Sequence, residues 1–238
     1  MRTLVDAARE LSSTLRQFDF ADPVTHVYNP LEYAWKSHCK FLKKASKATE
    51  VILLGMNPGP WGMAQTGVPF GEISAVRDWL GIEENVQRPE QEHPKRPIEG
   101  FNCSRSEVSG RRLWGLFSER FDSADQFFER HFVVNYCPLV FMESSGRNRT
   151  PDKLPAGERQ PLDEACDKHL HRVLRTLSPR HAVGVGAYAE ACLKRVIENS
   201  KLEGIAISRI LHPSPASPAA NKDWAGTVKK QLSESGVW

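Results

Sequence analysis

At 238 residues, with 40% hydrophobic and 26% charged side chains, the chain reads as an ordinary globular protein. It is long enough to bury a full core in one domain, residues 1–238. The longest apolar run, Val51 to Met56, is far short of a membrane span, and a net charge of +3 allows an anionic partner without demanding one.

The chain opens on MRTLVDAARELSS, an amphipathic helical pattern without the apolar segment of a signal peptide, so a cytoplasmic protein is expected. Ala34-Trp35, Phe41-Leu42 and Ala45 mark a second helix face, with lysines 36, 40, 43, 44 and 47 mainly on its wetter side. Residues 50-EVILLG-55 then read as a buried strand, being short, apolar and β-branched. It runs into GMNPGPWGMAQTGVPFG, residues 55–71, a stretch with five glycines and three prolines and no Lys, Asp, Glu, Ser or His. Residues 85–105, rich in proline and charge, read as a long surface loop, and so does 143–161.

Three more buried strands are expected at 131-HFVVNY-136, 181-HAVGVG-186 and 205-IAISRIL-211. Leu162, Cys166, Leu170, Val173-Leu174 and Leu177 recur at helical spacing between the second and third, and Trp224, Val228 and Leu232 mark a C-terminal helix. Strands alternating with helices predict an α/β protein, a three-layer α/β/α sandwich with a central, mainly parallel four-stranded sheet. The five cysteines lie at least 26 residues apart with no C-x-x-C pair. They read as reduced structural thiols, and neither a metal nor an iron-sulfur cluster is expected.

Ligands of open parallel sheets bind at the carboxyl ends of the strands. There the sequence places Asn57, Asn135, the turn Gly184-Val185-Gly186, and His212. No G-x-S-x-G elbow and no P-loop is present, which removes serine-hydrolase and P-loop chemistry. The glycine turn before a helix suits a phosphate on backbone N–H groups. An asparagine amide pairs in two directions at once, as reading the edge of a pyrimidine or an adenine requires. Histidine stabilises a developing oxyanion, and Phe70 offers a platform for a planar heterocycle. The pairs Lys95-Arg96, Arg111-Arg112 and Arg147 with Arg149 read as solvated surface.

The 55–71 loop, the strand end at Asn135 and 212-HPSPASPAANKDW-224 resemble the single-strand-selective monofunctional uracil-DNA glycosylase family, in the same order. The stretches 106-SEVSGRRLWG-115, 144-SSGRNRTP-151 and 182-AVGVGAYAE-190 resemble it too. The resemblance implies that Asn57 orients the attacking water and His212 supports the leaving base anion. It implies further that Met56, Pro58 and Gly59 wall the pocket, Gly59 and Met63 sense the pyrimidine C5 substituent, Phe70 stacks on the base and Asn135 reads its edge. DNA contacts are expected from Gly184, Gly186, Pro213, Ser214, Pro215, Ala216, Ser217 and Lys222.

The activity so implied is hydrolysis of the N-glycosidic bond of a flipped deoxyuridine, and of C5-oxidised uracils such as 5-hydroxymethyluracil. It needs no cofactor, acts on single- and double-stranded DNA, and is the work of a monomer placed at the nucleoid or in the nucleus. Vertebrate members carry an arginine where this chain has Ala216. On the residues alone, a damage-sensing DNA-binding module and a free-nucleoside hydrolase stay open as alternatives.

Overall fold

The computed structural model describes residues 2–238. Helix α1 (Arg2–Leu15) packs its apolar face, Leu4, Ala8, Leu11 and Leu15, into the core. A short strand β1 (His26–Tyr28) and a single turn α2 (Pro30–Tyr33), capped by the Asn29 side chain, lead into α3 (Trp35–Lys43). Strand β2 (Val51–Gly55) follows, and then the glycine-rich stretch, which contains one helical turn, α4 (Met63–Thr66). Helix α5 (Val108–Arg120) starts on a Glu107 side chain that accepts from its first-turn N–H groups, and α6 (Ala124–Arg130) starts on Ser123. Strand β3 (His131–Asn135) is followed by β4 (Val140–Met142) and β5 (Asn148–Arg149). The rest alternates: α7 (Ala156–Leu177), β6 (His181–Val185), α8 (Ala187–Asn199), β7 (Ala206–Ile210) and α9 (Pro218–Glu234), the last capped by Ser217.

The central sheet has the order β3-β2-β6-β7 and is parallel throughout. Every residue of β2 and β3 is buried, so both faces of the sheet are covered there. The register pairs Gly55 with Asn135, Leu54 with Gly184, and Val185 with Ile210. All four carboxyl ends therefore open on one edge, where the loops carrying the candidate residues begin. One hydrophobic cluster runs from Leu4 to Leu232, with an aromatic set of mainly edge-to-face and tilted rings, Phe41, Trp114, Phe117, Phe127, Phe128 and Phe132. Four of the five free cysteines are buried, and burial pushes the Cys192 thiol up to about 12.

Two expectations need correction. Strand β7 is an edge strand on which Ala206 and Arg209 are exposed and only Ile210 is buried, unlike the other edge strand, β3, which is buried throughout. Residues 143–161 are not a loop throughout. They hold β5, a 3₁₀ turn at Pro151–Lys153 and the first turns of α7, which starts six residues before the apolar pattern and accommodates Pro161 near its amino end. Residues 85–105 are the long loop expected, irregular apart from a turn at Gly100–Asn102 and mostly at the surface, with His93 and Ile98 buried as anchors. A second, antiparallel sheet β1-β4-β5 escaped the sequence reading, since strands of two or three residues leave no periodicity.

Candidate active site

Pairing of β2 with β3 persists past both strands. Tyr136 N–H donates to Gly55 at 2.8 Å and Cys137 N–H to Met56 at 2.9 Å, so the half-buried Met56 is carried into the wall of the cleft. The next residue, Asn57, is half-buried. Its Nδ2 donates to the carbonyls of Leu139 (3.2 Å) and Pro58 (3.3 Å). With both amide hydrogens engaged, Oδ1 is left as a fixed acceptor, the group that holds a water by its proton. Pro58 is buried behind it. A Cβ built on Gly59 meets no protein atom within 4 Å, so no packing contact demands glycine there and the space before it is open.

Gly55 is different. A Cβ there would come within 2.4 Å of Asn135 Oδ1 and 2.6 Å of the Phe70 ring. The missing side chain lets an amide and an aromatic ring meet over the end of β2. Asn135 is 7% exposed, and its Nδ2 donates to Met63 Sδ at 3.4 Å, which fixes the amide beside the buried Met63. Phe70 holds φ at +52°, a conformation costly for an aromatic residue. Neighbours impose it: Trp114 Nε1 donates to Pro69 O at 3.2 Å, and Thr66 Oγ1 donates to Gly71 O at 3.1 Å. A Cβ on Gly110 would lie 1.9 Å from Phe70 O, so glycine on α5 is what admits this backbone. Gln65 completes the bracing. Its Nε2 donates to Pro60 and Pro97, and its Oε1 accepts from Glu99 and Gly100, which uses the full capacity of a buried amide.

The fourth strand end delivers His212. Its Nδ1 accepts from Ser214 N–H at 3.1 Å, so the ring proton resides on Nε2. Burial lowers its pKa below the ordinary 6.5, and the imidazole is a neutral donor. The loop beyond is tied on every side. Arg112 donates to Pro213 O and to Asn221 Oδ1, both at 2.9 Å, and Asn221 Nδ2 donates to Pro215 O at 2.8 Å. Ser217 N–H donates to Ser214 O, while Trp224 Nε1 secures Leu211 O. Pro215 and Ala216 stand exposed at the tip.

A fixed acceptor, an aromatic ring, a buried amide and a neutral histidine thus stand at the carboxyl end of one parallel sheet. A model of the uracil DNA glycosylase superfamily matches residues 42–232. The chain belongs to this superfamily. It is similar to the single-strand selective monofunctional uracil DNA glycosylase of Bos taurus, 48% identical over 95% of this chain and 84% of the relative. Those of Rattus norvegicus and Mus musculus are 47% and 46% identical over the same share of this chain and 82% and 81% of theirs. The crystal structure of Pedobacter heparinus SMUG2 shares the fold, with a TM-score of 0.67 over 96% of both chains at 16% identity.

Within this uracil-DNA glycosylase fold three expected DNA contacts sit differently. Pro213 is buried with its carbonyl taken by Arg112, so it anchors the loop and does not itself meet DNA. Gly184 is buried, and a Cβ there would lie 2.4 Å from the Glu190 backbone nitrogen. It serves the close packing of α8 on β6 and does not reach the surface. Gly186, at φ +93°, spends its N–H on Ile210 O at 3.0 Å and supports the His212 ring, whose Cδ2 would lie 3.3 Å from a Cβ. The N–H groups free for an anion are those of the first turn of α8, which no side chain caps. Lys222 is exposed on α9.

The sequence reading missed Gly55, Gln65, Gly110, Arg112 and Asn221. Arg112 and Asn221 stood inside quoted motifs, but their bond bridges 109 residues, and no local pattern announces it.

Proposed function

We propose that this base-excision-repair glycosylase cleaves its substrate with Asn57 and His212 over a base held by Phe70 and Asn135. The target nucleotide leaves the helix, because the pocket cannot reach a stacked base. Its pyrimidine stacks on Phe70, and the Asn135 amide reads the edge that separates uracil from cytosine. The C1′–N1 bond breaks with its electron pair on the base. His212 Nε2–H stabilises the uracil anion as it forms, charge that exists only near the transition state. A water held on Asn57 Oδ1 adds its oxygen to the cationic C1′ and loses a proton to solvent. Free base and an abasic site remain, with no covalent enzyme intermediate and no call on Lys222.

The observation that carries this reading is the meeting of the Asn135 amide and the Phe70 ring over Gly55, with Asn57 two residues away. Open space before Gly59 supports acceptance of C5-oxidised uracils such as 5-hydroxymethyluracil. Ser214, Pro215, Ala216 and Ser217 act as the wedge that holds a duplex stack open, with the buried Pro213 as their anchor, and both single- and double-stranded DNA are substrates. One chain supplies every group named, so the proposed working form is a monomer, at the nucleoid or in the nucleus. No helix among the described residues is long and apolar enough to cross a membrane.

Single-turnover excision from single-stranded, U:G and U:A DNA tests the assignment. Asn57→Ala should cut the rate about 10²–10⁴-fold with DNA affinity little changed, as for loss of a positioned catalytic group. Asn135→Asp should weaken uracil excision and admit cytosine. Unchanged base preference in that variant would remove Asn135 from its role.

A further inference from the structure

Two arginines on the pocket-flanking loops share one aromatic ring. The Arg96 guanidinium carbon lies 5.1 Å from the centroid of Trp61, and that of Arg105 lies 5.7 Å from it. Trp61 is only four residues beyond Asn57, and between them stands Gly59, open to solvent. Neither arginine forms an ion pair among the described residues, although acidic residues pair with others close by: Arg149 with Glu143 at 2.7 Å and Arg88 with Glu92 at 3.7 Å.

The frame under this stack is rigid. Arg96 O accepts from Tyr28 Oη at 2.8 Å, and the Gln65 side chain holds Pro60 O and Pro97 O together at 3.0 Å each. Trp61 and Arg96 each adjoin one of those two carbonyls, so a single buried amide sets their spacing. The turn at Gly146 abuts the pair, with a Cβ there only 3.3 Å from Lys95 and 3.4 Å from Arg96. That brings the exposed, unpaired Arg147 to the same face. Over the indole, the Arg105 guanidinium has no hydrogen-bond partner among the described residues, while Arg96 donates Nη1 to Lys95 O at 2.8 Å and has its Nε buried, which leaves Nη2 for a phosphate oxygen. Unpaired cations on an aromatic support beside a base pocket are the parts of a single-strand track.

We propose that Arg96, Trp61 and Arg105 form a clamp for two phosphates of the single strand that lie beyond the immediate neighbours of the flipped nucleotide, separate from the 212–217 wedge. This rests on the uracil-excision reading for the nature of the ligand. Indole stacking orients the two guanidiniums before DNA arrives, and Lys95 and Arg147 widen the positive field around them.

The test compares wild type with R96Q/R105Q on a uracil-containing 25-mer and on a uracil-containing trinucleotide too short to reach the clamp. Excision of the trinucleotide by the wild type checks the underlying reading by itself. The double variant should excise from the trinucleotide at the wild-type rate. It should bind a uracil-free single-stranded 25-mer roughly tenfold more weakly, with the slope of log affinity against log salt reduced by about 1.4, at about 0.7 per phosphate. An unchanged slope, or equal losses on both lengths, would overturn the clamp. Should the glutamine pair lose its thermal transition, R96K/R105K decides. It keeps charge but not the planar fork, so weakened 25-mer binding supports the clamp and wild-type binding overturns it.

Discussion

His212 is the residue whose chemistry is most constrained by its surroundings. Its Nδ1 is occupied by Ser214 N–H, and burial keeps the ring neutral below the ordinary 6.5. Protonation would place a hydrogen on Nδ1 and break the bond that shapes the loop. The neutral form is the active one, so log kcat/KM measured from pH 8 downwards should stay flat through 6.5 and bend only below it. A bend at or above 6.5 would contradict the neutral-donor assignment. Gly55 gives the second residue-scale expectation. Gly55→Ala drives a methyl into Asn135 Oδ1 and Phe70, displacing both by ångström distances. Excision should fall about 100-fold or more, since misplacements of that size are costly in a preorganised site. Crystallography of the variant should show the Phe70 ring displaced.

At the scale of elements, the 212–217 loop is a strut between α5 and α9. Arg112 reaches from α5 to Pro213 O and Asn221, and Asn221 returns from α9 to Pro215 O. A hydrogen bond to a charged group contributes about 1.5–3 kcal/mol. Arg112→Ala should therefore loosen the loop, raising amide exchange at Ser214, Ala216 and Ser217 while the sheet amides keep their protection. Replacing Pro215 and Ala216 with glycines should act on the same strut by softening its tip. Excision from duplex DNA should drop more than from single strands, because only a duplex has pairing to hold open. His212→Ala, in contrast, should slow both substrates by a similar factor. Equal losses from the glycine variant would mean the loop is no wedge. Ala216→Arg adds bulk at the tip and should raise duplex activity or slow product release.

The whole molecule carries its own pH response. His38 is 6% exposed and donates Nδ1–H to Gly67 O at 2.8 Å. His131 is 8% exposed, stacks on Phe127 at 5.2 Å, and has no partner for either ring nitrogen. Burial lowers both to about 4. In the unfolded chain these rings bind a proton near pH 6.5. Below that value the unfolded state takes up protons that the fold refuses, so stability is complete above 6.5 and is lost as pH falls towards 4. Each histidine accounts for on the order of 3 kcal/mol across that window. Urea midpoints at pH 7.5 and 4.5 should differ accordingly. His131→Phe keeps the stack and should recover part of the loss at pH 4.5.

The sequence by itself determined the alternation of strands and helices and the residues at the strand ends, because each rests on a local pattern. Val51–Leu54 is an apolar run, Leu162–Leu177 keeps a helical period, Asn57 and His212 each follow a recognisable strand within two residues, and Asn135 ends one. The 55–71 loop was legible for the same reason, its glycines and prolines being concentrated in one stretch. Tertiary structure decided what depends on partners distant in the chain. The His212 tautomer is local, but the brace that holds its loop joins Arg112 to Pro213 across 101 residues. The strained Phe70 is held by Gly110 and Trp114 of another helix, and Gly55 matters only because Asn135 and Phe70 converge on it. The exposure of β7 and the sheet β1-β4-β5 were likewise invisible. A strand's place in a sheet is fixed by its neighbours, and three residues of β1 become a strand only when Val140–Met142 supplies their hydrogen bonds.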